Sequence, residues 1–207
     1  MQQYGTGRSP AIKLFWLLVL VFNAVTAQGI EEPDYEVLQR WESEEIEIRH
    51  YAPRVMAVTE MAGREDDGFR VLAGYIFGGN TREQEIAMTA PVQQTMNGPA
   101  EMAFMMPSEL ALHDLPAPND QRVAFRQAPA YTAAVIRFSG WANAEKADEH
   151  WQKLREFLIK GGIEIVGEPT LNQYDPPWTL PFLRRNEIIV PVNRDGSEKE
   201  SAVTELS

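Results

Sequence analysis

The chain has no cysteine, so any ligation or catalysis rests on three histidines, eight methionines and a few arginines and carboxylates. His50 lies in the run Glu47-Ile48-Arg49-His50-Tyr51. By the two-residue period of a strand it shares a face with Ile46 and Ile48, just before Pro53. A neutral imidazole there could coordinate a metal, or simply pack and hydrogen-bond at a strand end. His113 falls among prolines and reads as solvated. His150 reads as a boundary residue beside Trp151. The three share no metal-site spacing, which argues against a zinc or copper centre. Met56, Met61, Met88, Met102, Met105 and Met106 suit ordinary core filling or an adaptable apolar cavity, and a thioether is also an iron ligand.

A second constellation sits on one helix. Phe69, Leu72 and Ile76 recur at helical spacing, with Ala73 at the edge of the stripe, which leaves Arg70, Gly74 and Phe77 on the other side. A face flattened by Ala73 and Gly74, ending in an aromatic ring and carrying an arginine, could receive a planar molecule. The alternative is a surface helix weakened by glycine, at about 1 kcal/mol relative to alanine. Arg184 and Arg185 could pair with an anionic ligand, but a structural role in the chain's own turn is preferred. No nucleophile elbow, phosphate loop or His-Glu-x-x-His is present. Glu187 and Glu85 would serve as acid or base only if they faced a cavity, and Glu44, Glu45 and Glu47 read as a solvated face.

The elements that must position these groups follow from periodicity and punctuation. Strands are expected over 35–40, 46–50, 55–61, 102–106, 123–126, 131–138, 163–166, 171–174 and 187–192. Gly78-Gly79 ends the first helix. The second runs from Ala144 to Lys160, with Asn143 as N-cap, Ala147, Trp151, Leu154 and Leu158 as its buried stripe, and Gly161 as its stop. Asn97-Gly98-Pro99 marks a hairpin. The order strand, strand, helix, hairpin occurs twice, over about 35–107 and 121–192. This predicts an α+β domain: a curved antiparallel sheet or open barrel carrying two main helices.

Charge and the N-terminus bound the setting. The chain holds 19 basic and 30 acidic residues, a net charge of −11. Such a surface repels nucleic acid and anionic lipid. Arg8 and Lys13 precede an apolar run from Leu14 to Val25, and Val25-Thr26-Ala27 offers a small-residue cleavage site. That is the layout of a signal peptide over 1–27, cleaved after Ala27, ahead of a single domain over 28–193. It predicts an exported, periplasmic protein with no membrane insertion after cleavage. The alternative is an anchor retained at an uncleaved N-terminus. Residues 194–207 are polar, lack periodicity and are expected to be a disordered tail.

Five stretches, in order along the chain, resemble the SOUL haem-binding family. They are Glu47-Ile48-Arg49-His50-Tyr51, Ala87-Met88-Thr89-Ala90-Pro91-Val92, Phe104-Met105-Met106-Pro107-Ser108, Asn172-Gln173-Tyr174-Asp175-Pro176-Pro177-Trp178-Thr179 and Phe182-Leu183-Arg184-Arg185-Asn186-Glu187. The resemblance spans about Tyr35 to Val192. It implies the duplicated α+β barrel and a non-catalytic monomer that sequesters or carries haem or another tetrapyrrole, a small apolar planar ligand, in an apolar groove. In the family the histidine of the first stretch has been proposed as an axial iron ligand, which here is His50. Members without it imply binding mainly through apolar contact. A helix-side porphyrin site maps onto Arg70, Ala73, Gly74 and Phe77, with Met88 beside them. The family pattern also assigns Trp151 and Trp178 to the core. The architecture is similar to bacterial effector-binding domains, some relatives of which hydrolyse small molecules with a cavity glutamate. That leaves a hydrolase-like enzyme using Glu187 or Glu85, or a module for another apolar ligand such as a lipid, as alternatives.

Overall fold

The computed structural model describes residues 29–61 and 65–193. The expected signal peptide and the expected disordered tail lie outside the described residues. Strands β1 (Tyr35–Trp41), β2 (Ile46–Tyr51) and β3 (Arg54–Glu60) lead into helix α1 (Glu65–Ile76). Strands β4 (Val92–Thr95), β5 (Glu101–Met105), β6 (Ala124–Ala128) and β7 (Tyr131–Phe138) follow, then helix α2 (Ala144–Lys160). The short strands β8 (Glu164–Ile165) and β9 (Thr170–Gln173) precede β10 (Asn186–Asn193).

The strands form one antiparallel sheet in the order β1-β2-β7-β10-β9-β4-β5-β3-β6, with β8 paired to β10. This is the expected α+β arrangement. Only Ala52 and Pro53 separate β2 from β3, yet these strands lie near opposite ends of the sheet. Pro129 and Ala130 make the same step from β6 to β7. Links this short cannot cross an open sheet, since neighbouring strands stand about 4.8 Å apart. The sheet must therefore curl until its ends approach. Tyr51 and Tyr131, at the two links, stack at 5.2 Å between ring centroids.

Both helices pack on one face of the curl. α1 covers β3 and β5, burying Leu72, Tyr75 and Ile76 against Val55, Ala57, Met102 and Phe104. α2 covers β7 and β10, burying Trp151, Leu154 and Leu158 against Ile48, Ile136, Ile188 and Val190. The helix stops have a local cause. Gly78 takes φ +95° and the Gly79 N–H bonds back to the Gly74 carbonyl at 2.9 Å; Gly162 takes φ +66° and the Ile163 N–H bonds back to Leu158 at 2.9 Å. Each is a Schellman ending, which places a glycine where L residues are strained. At the other end of α2, the Asn143 side chain accepts from the Lys146 N–H at 2.9 Å.

Two expectations need correction. Tyr75 completes the buried stripe of α1, whereas Phe69 is 43% exposed and stands at its edge. The Tyr75 hydroxyl donates to the Pro116 carbonyl, which explains how a phenol can be fully enclosed. Trp178, assigned to the core, is 82% exposed. Its segment is turned outward by the arginine that follows it, as described below.

Candidate functional site

A groove of about 500 Å³ opens beside α1, on the face that carries both helices. Phe69, Arg70 and Ala73 of α1 form one wall, Val92, Gln94, Met102 and Gln173 of β4, β5 and β9 the floor, and Asp175, Pro177 and Arg184 the opposite wall. These strands come together because β4 and β9 meet at the centre of the sheet. Val92 sits opposite Gln173, and Gln94 opposite Leu171. Five of the ten lining residues are apolar and five polar or charged, a mixture that suits an amphipathic small molecule.

The walls differ in character. Phe69 and Ala73 recur at i and i+4 and present a low surface, and a Cβ at the neighbouring Gly74 would meet nothing within 4 Å. Phe69 leans edge-on against Phe104 at 5.4 Å, which fixes its ring. Arg70 stays solvated, with a loose 3.8 Å contact to Asp67, so its charge is available to an anion at the rim. Arg184 is committed elsewhere. Its guanidinium donates to the carbonyls of Pro177 and Thr179 and lies 3.9 Å over the Trp141 ring. Arg185 pairs with Glu32 and stacks on Tyr174 at 3.5 Å. Both arginines thus have the structural role preferred from the sequence.

Of the residues singled out in the sequence, Arg70 and Ala73 line the groove. Gly74 of the same helix and Phe77, just past its end and 68% exposed, do not line it. Met88 is half-buried against the α1 cluster, and Met102 is the methionine that lines the floor. His50 stands apart. It is exposed on β2, between Glu36 and Thr132, with Nδ1 3.3 Å from the Thr132 hydroxyl. Three strand spacings separate β2 from β9, about 14 Å. The helical period puts Arg70 and Ala73 on a common face, but it sets Phe69 in the buried stripe and Gly74 and Phe77 beside Arg70, where the groove has Phe69 and neither of those two. The floor and the 175–184 wall have no local signal, because they depend on the pairing of β4 with β9.

The opposite face of the sheet holds a second polar centre. Arg49 Nη1 and Nη2 donate to the two Glu187 oxygens at 2.8 and 3.1 Å, Tyr174 donates to Glu187 at 2.8 Å, and Arg49 Nε donates to Glu47 at 2.6 Å. Glu187 is 1% exposed and Arg49 4%. Burial works against the Arg49 charge, but the Glu187 carboxylate and Tyr51 hold the guanidinium well above its ordinary pKa. Burial, reinforced by the Glu187 charge, pushes the Tyr174 phenol up. Burial raises Tyr51 as well. Glu85, the other acid considered, is exposed. Among the described residues no cluster of three or more histidines and carboxylates could hold a metal ion, and no helix is long and apolar enough to cross a membrane.

The profile of the SOUL heme-binding protein family matches residues 30–191. Human heme-binding protein 2 is 30% identical over 192 residues, covering 84% of this chain and 92% of its own. The mouse heme-binding protein 2 is 27% identical, covering 78% and 88%. Among solved structures, the EcmrR C-terminal domain superposes with a TM-score of 0.52 at 13% identity, over 77% of this chain and 98% of that domain. A hydrolase from Listeria innocua superposes with a TM-score of 0.51 at 11% identity, over 72% and 92%. At such identities these two establish a common fold and nothing further.

Proposed function

The chain belongs to the SOUL heme-binding protein family, and from that membership we propose that it binds haem or a related tetrapyrrole in the groove beside α1. The observation that carries the reading is the groove itself: a slot of about 500 Å³ with a low apolar wall at Phe69 and Ala73, a floor where Val92 and Met102 sit beside Gln94 and Gln173, and a solvated cation at Arg70 held only by a loose 3.8 Å contact to Asp67. These residues fit a flat macrocycle with carboxylate arms. The ring would lie along α1, and a propionate would meet Arg70. Bound haem supplies an iron centre. The chain supplies enclosure and orientation, principally through apolar contact, because His50 lies outside the groove.

The protein acts in this reading as an exported monomeric binder or carrier, its signal peptide removed after Ala27, and not as an enzyme. The two oxygens of Glu187 already accept from Arg49 and Tyr174, which leaves a general base little capacity to take a proton from water. This favours binding over the glutamate-dependent hydrolysis considered from the sequence.

Titration with haemin tests the proposal. A saturable Soret shift at micromolar haemin is expected. Ala73→Trp, which fills the groove from its exposed wall, should weaken binding at least tenfold while leaving the denaturation midpoint near wild type. His50→Ala should leave the Soret band unchanged. Absence of saturable binding by the wild type, or undiminished binding by Ala73→Trp, overturns the site.

A further inference from the structure

We infer that the 176–183 loop is a peripheral membrane-docking loop, built to dip into the interfacial layer of a zwitterionic bilayer beside the mouth of the groove. Its sequence is Pro176-Pro177-Trp178-Thr179-Leu180-Pro181-Phe182-Leu183, eight residues without a charge in a chain of net charge −11. Trp178 is 82% exposed, Leu180 55%, Phe182 70% and Leu183 63%. Trp141, 59% exposed, is tied to the same loop through Arg184. Single exposed apolar residues need no explanation, but a cluster of large ones marks an interaction surface.

The loop is held in this pose rather than left loose. The Arg184 guanidinium, largely withdrawn from solvent, reaches up from beneath to the carbonyls of Pro177 and Thr179. The Gly140 N–H donates to the Pro181 carbonyl at 2.8 Å. Further bonds close Thr179 onto Pro176, Leu183 onto Leu180 and Arg184 onto Pro181. The carbonyls of Pro176, Pro177, Thr179, Leu180 and Pro181 are thereby satisfied from within, and the three prolines carry no N–H. Carbonyls bonded in this way lose little when water is replaced by a medium that offers no hydrogen bonds, and the N–H groups of Trp178, Leu180 and Phe182 would stay at the hydrated headgroup level. The loop also presents no strand edge with which a peptide could pair. Exposed tryptophan, phenylalanine and leucine on an uncharged turn are the groups that partition into a lipid interface. The acidic remainder of the chain would be repelled by an anionic leaflet, which selects a zwitterionic one.

Pro177 of the loop and Arg184, which pins the loop, both line the groove. Docking would therefore bring the groove to the surface of the phase in which an apolar tetrapyrrole accumulates, and this consequence rests on the function proposed above. It also narrows the expectation of no membrane insertion: the chain would touch the bilayer without spanning it.

The test uses the full chain with vesicles of phosphatidylcholine brominated on the acyl chains. The difference in emission between wild type and Trp178→Phe isolates Trp178, whatever residues 1–28 do. That difference signal is expected to fall by at least half on adding vesicles. Leu180→Ser with Phe182→Ser, which retains the Trp178 probe, should restore most of it while haemin titration without vesicles stays at the wild-type value. Unquenched Trp178, quenching that requires anionic lipid, or quenching indifferent to the double substitution overturns the inference. Failure of quenching with normal haemin binding rejects docking alone, whereas normal quenching without haemin binding supports docking and rejects only the tetrapyrrole reading.

Discussion

Arg49 and Glu187 form a two-pronged ion pair that reaches across an intervening strand. β7 lies between their strands β2 and β10, and on β7 Ala133 stands opposite Arg49 and Arg137 opposite Glu187. The small side chain at Ala133 leaves room for the guanidinium. The pair is sealed by Tyr174 on one side and extended by Glu47 on the other.

Breaking this pair should be unequal in its two directions. Arg49→Met leaves Glu187 buried with its charge unmatched, a loss of about 3–5 kcal/mol. Glu187→Gln leaves Arg49 still bonded to Glu47 and should cost visibly less. Replacing both by apolar residues of similar volume should recover most of the loss. Urea denaturation of the three variants checks the order. Equal costs for the two single changes would contradict the role given to Glu47.

Two glycines at one helix end should respond with opposite sign. Gly74→Ala adds a methyl into open space on α1 and should stabilise by about 1 kcal/mol. Gly79→Ala places its Cβ 2.4 Å from the Gly74 carbonyl oxygen and should destabilise by more than about 1 kcal/mol. Thermal melts of the two variants decide the matter.

Alkaline stability should fall from about pH 10. Burial raises Tyr75 to about 12, and burial also raises Tyr51 and Tyr174. Their unfolded counterparts ionise near about 10. Above that pH the unfolded chain binds fewer protons than the native one, so stability present at neutral pH is progressively lost as pH rises through the folded values. Denaturation at pH 8 and pH 11, with phenolate absorbance followed in parallel, should show native tyrosines that resist ionisation until the fold gives way.

Arg184→Ala should loosen the loop it pins without dismantling the sheet. The carbonyls of Pro177 and Thr179 lose their donor, and Trp141 loses its cation. Chymotrypsin is expected to cut after Trp178 or Phe182 several-fold faster than in wild type. Unchanged cleavage would mean that the proline backbone alone holds the loop.

The legible parts of this sequence are those decided by neighbours. Asn143, the stripe Ala147-Trp151-Leu154-Leu158 and a closing glycine pair define α2 to the residue. The alternation over Tyr131–Phe138 defines β7. Helical spacing places Arg70 and Ala73 together on α1, but it also puts Phe69 in the buried stripe, because nothing local shows that β4 and β9 leave its edge uncovered. What distance in the chain hides is a different matter. Arg49 and Glu187 are 138 positions apart, and the one available hint is a charge at the head of Ile188-Ile189-Val190, a run buried on both faces that obliges any charge to find a partner. Tyr75 is enclosed because Pro116 returns to accept its hydroxyl. The family pattern puts Trp178 in the core, but its segment, bonded by Arg184, lies outside.

The links at Ala52-Pro53 and Pro129-Ala130 mean that each half of the chain lends its leading ribbon to the other. β2 is stitched to β7, and β6 to β3. The molecule resembles two clasped hands more than two adjoining fists. Cutting the polypeptide within 107–120 should therefore yield pieces that stay locked together, whereas either piece made alone would be left with a gap that a second copy of itself could fill.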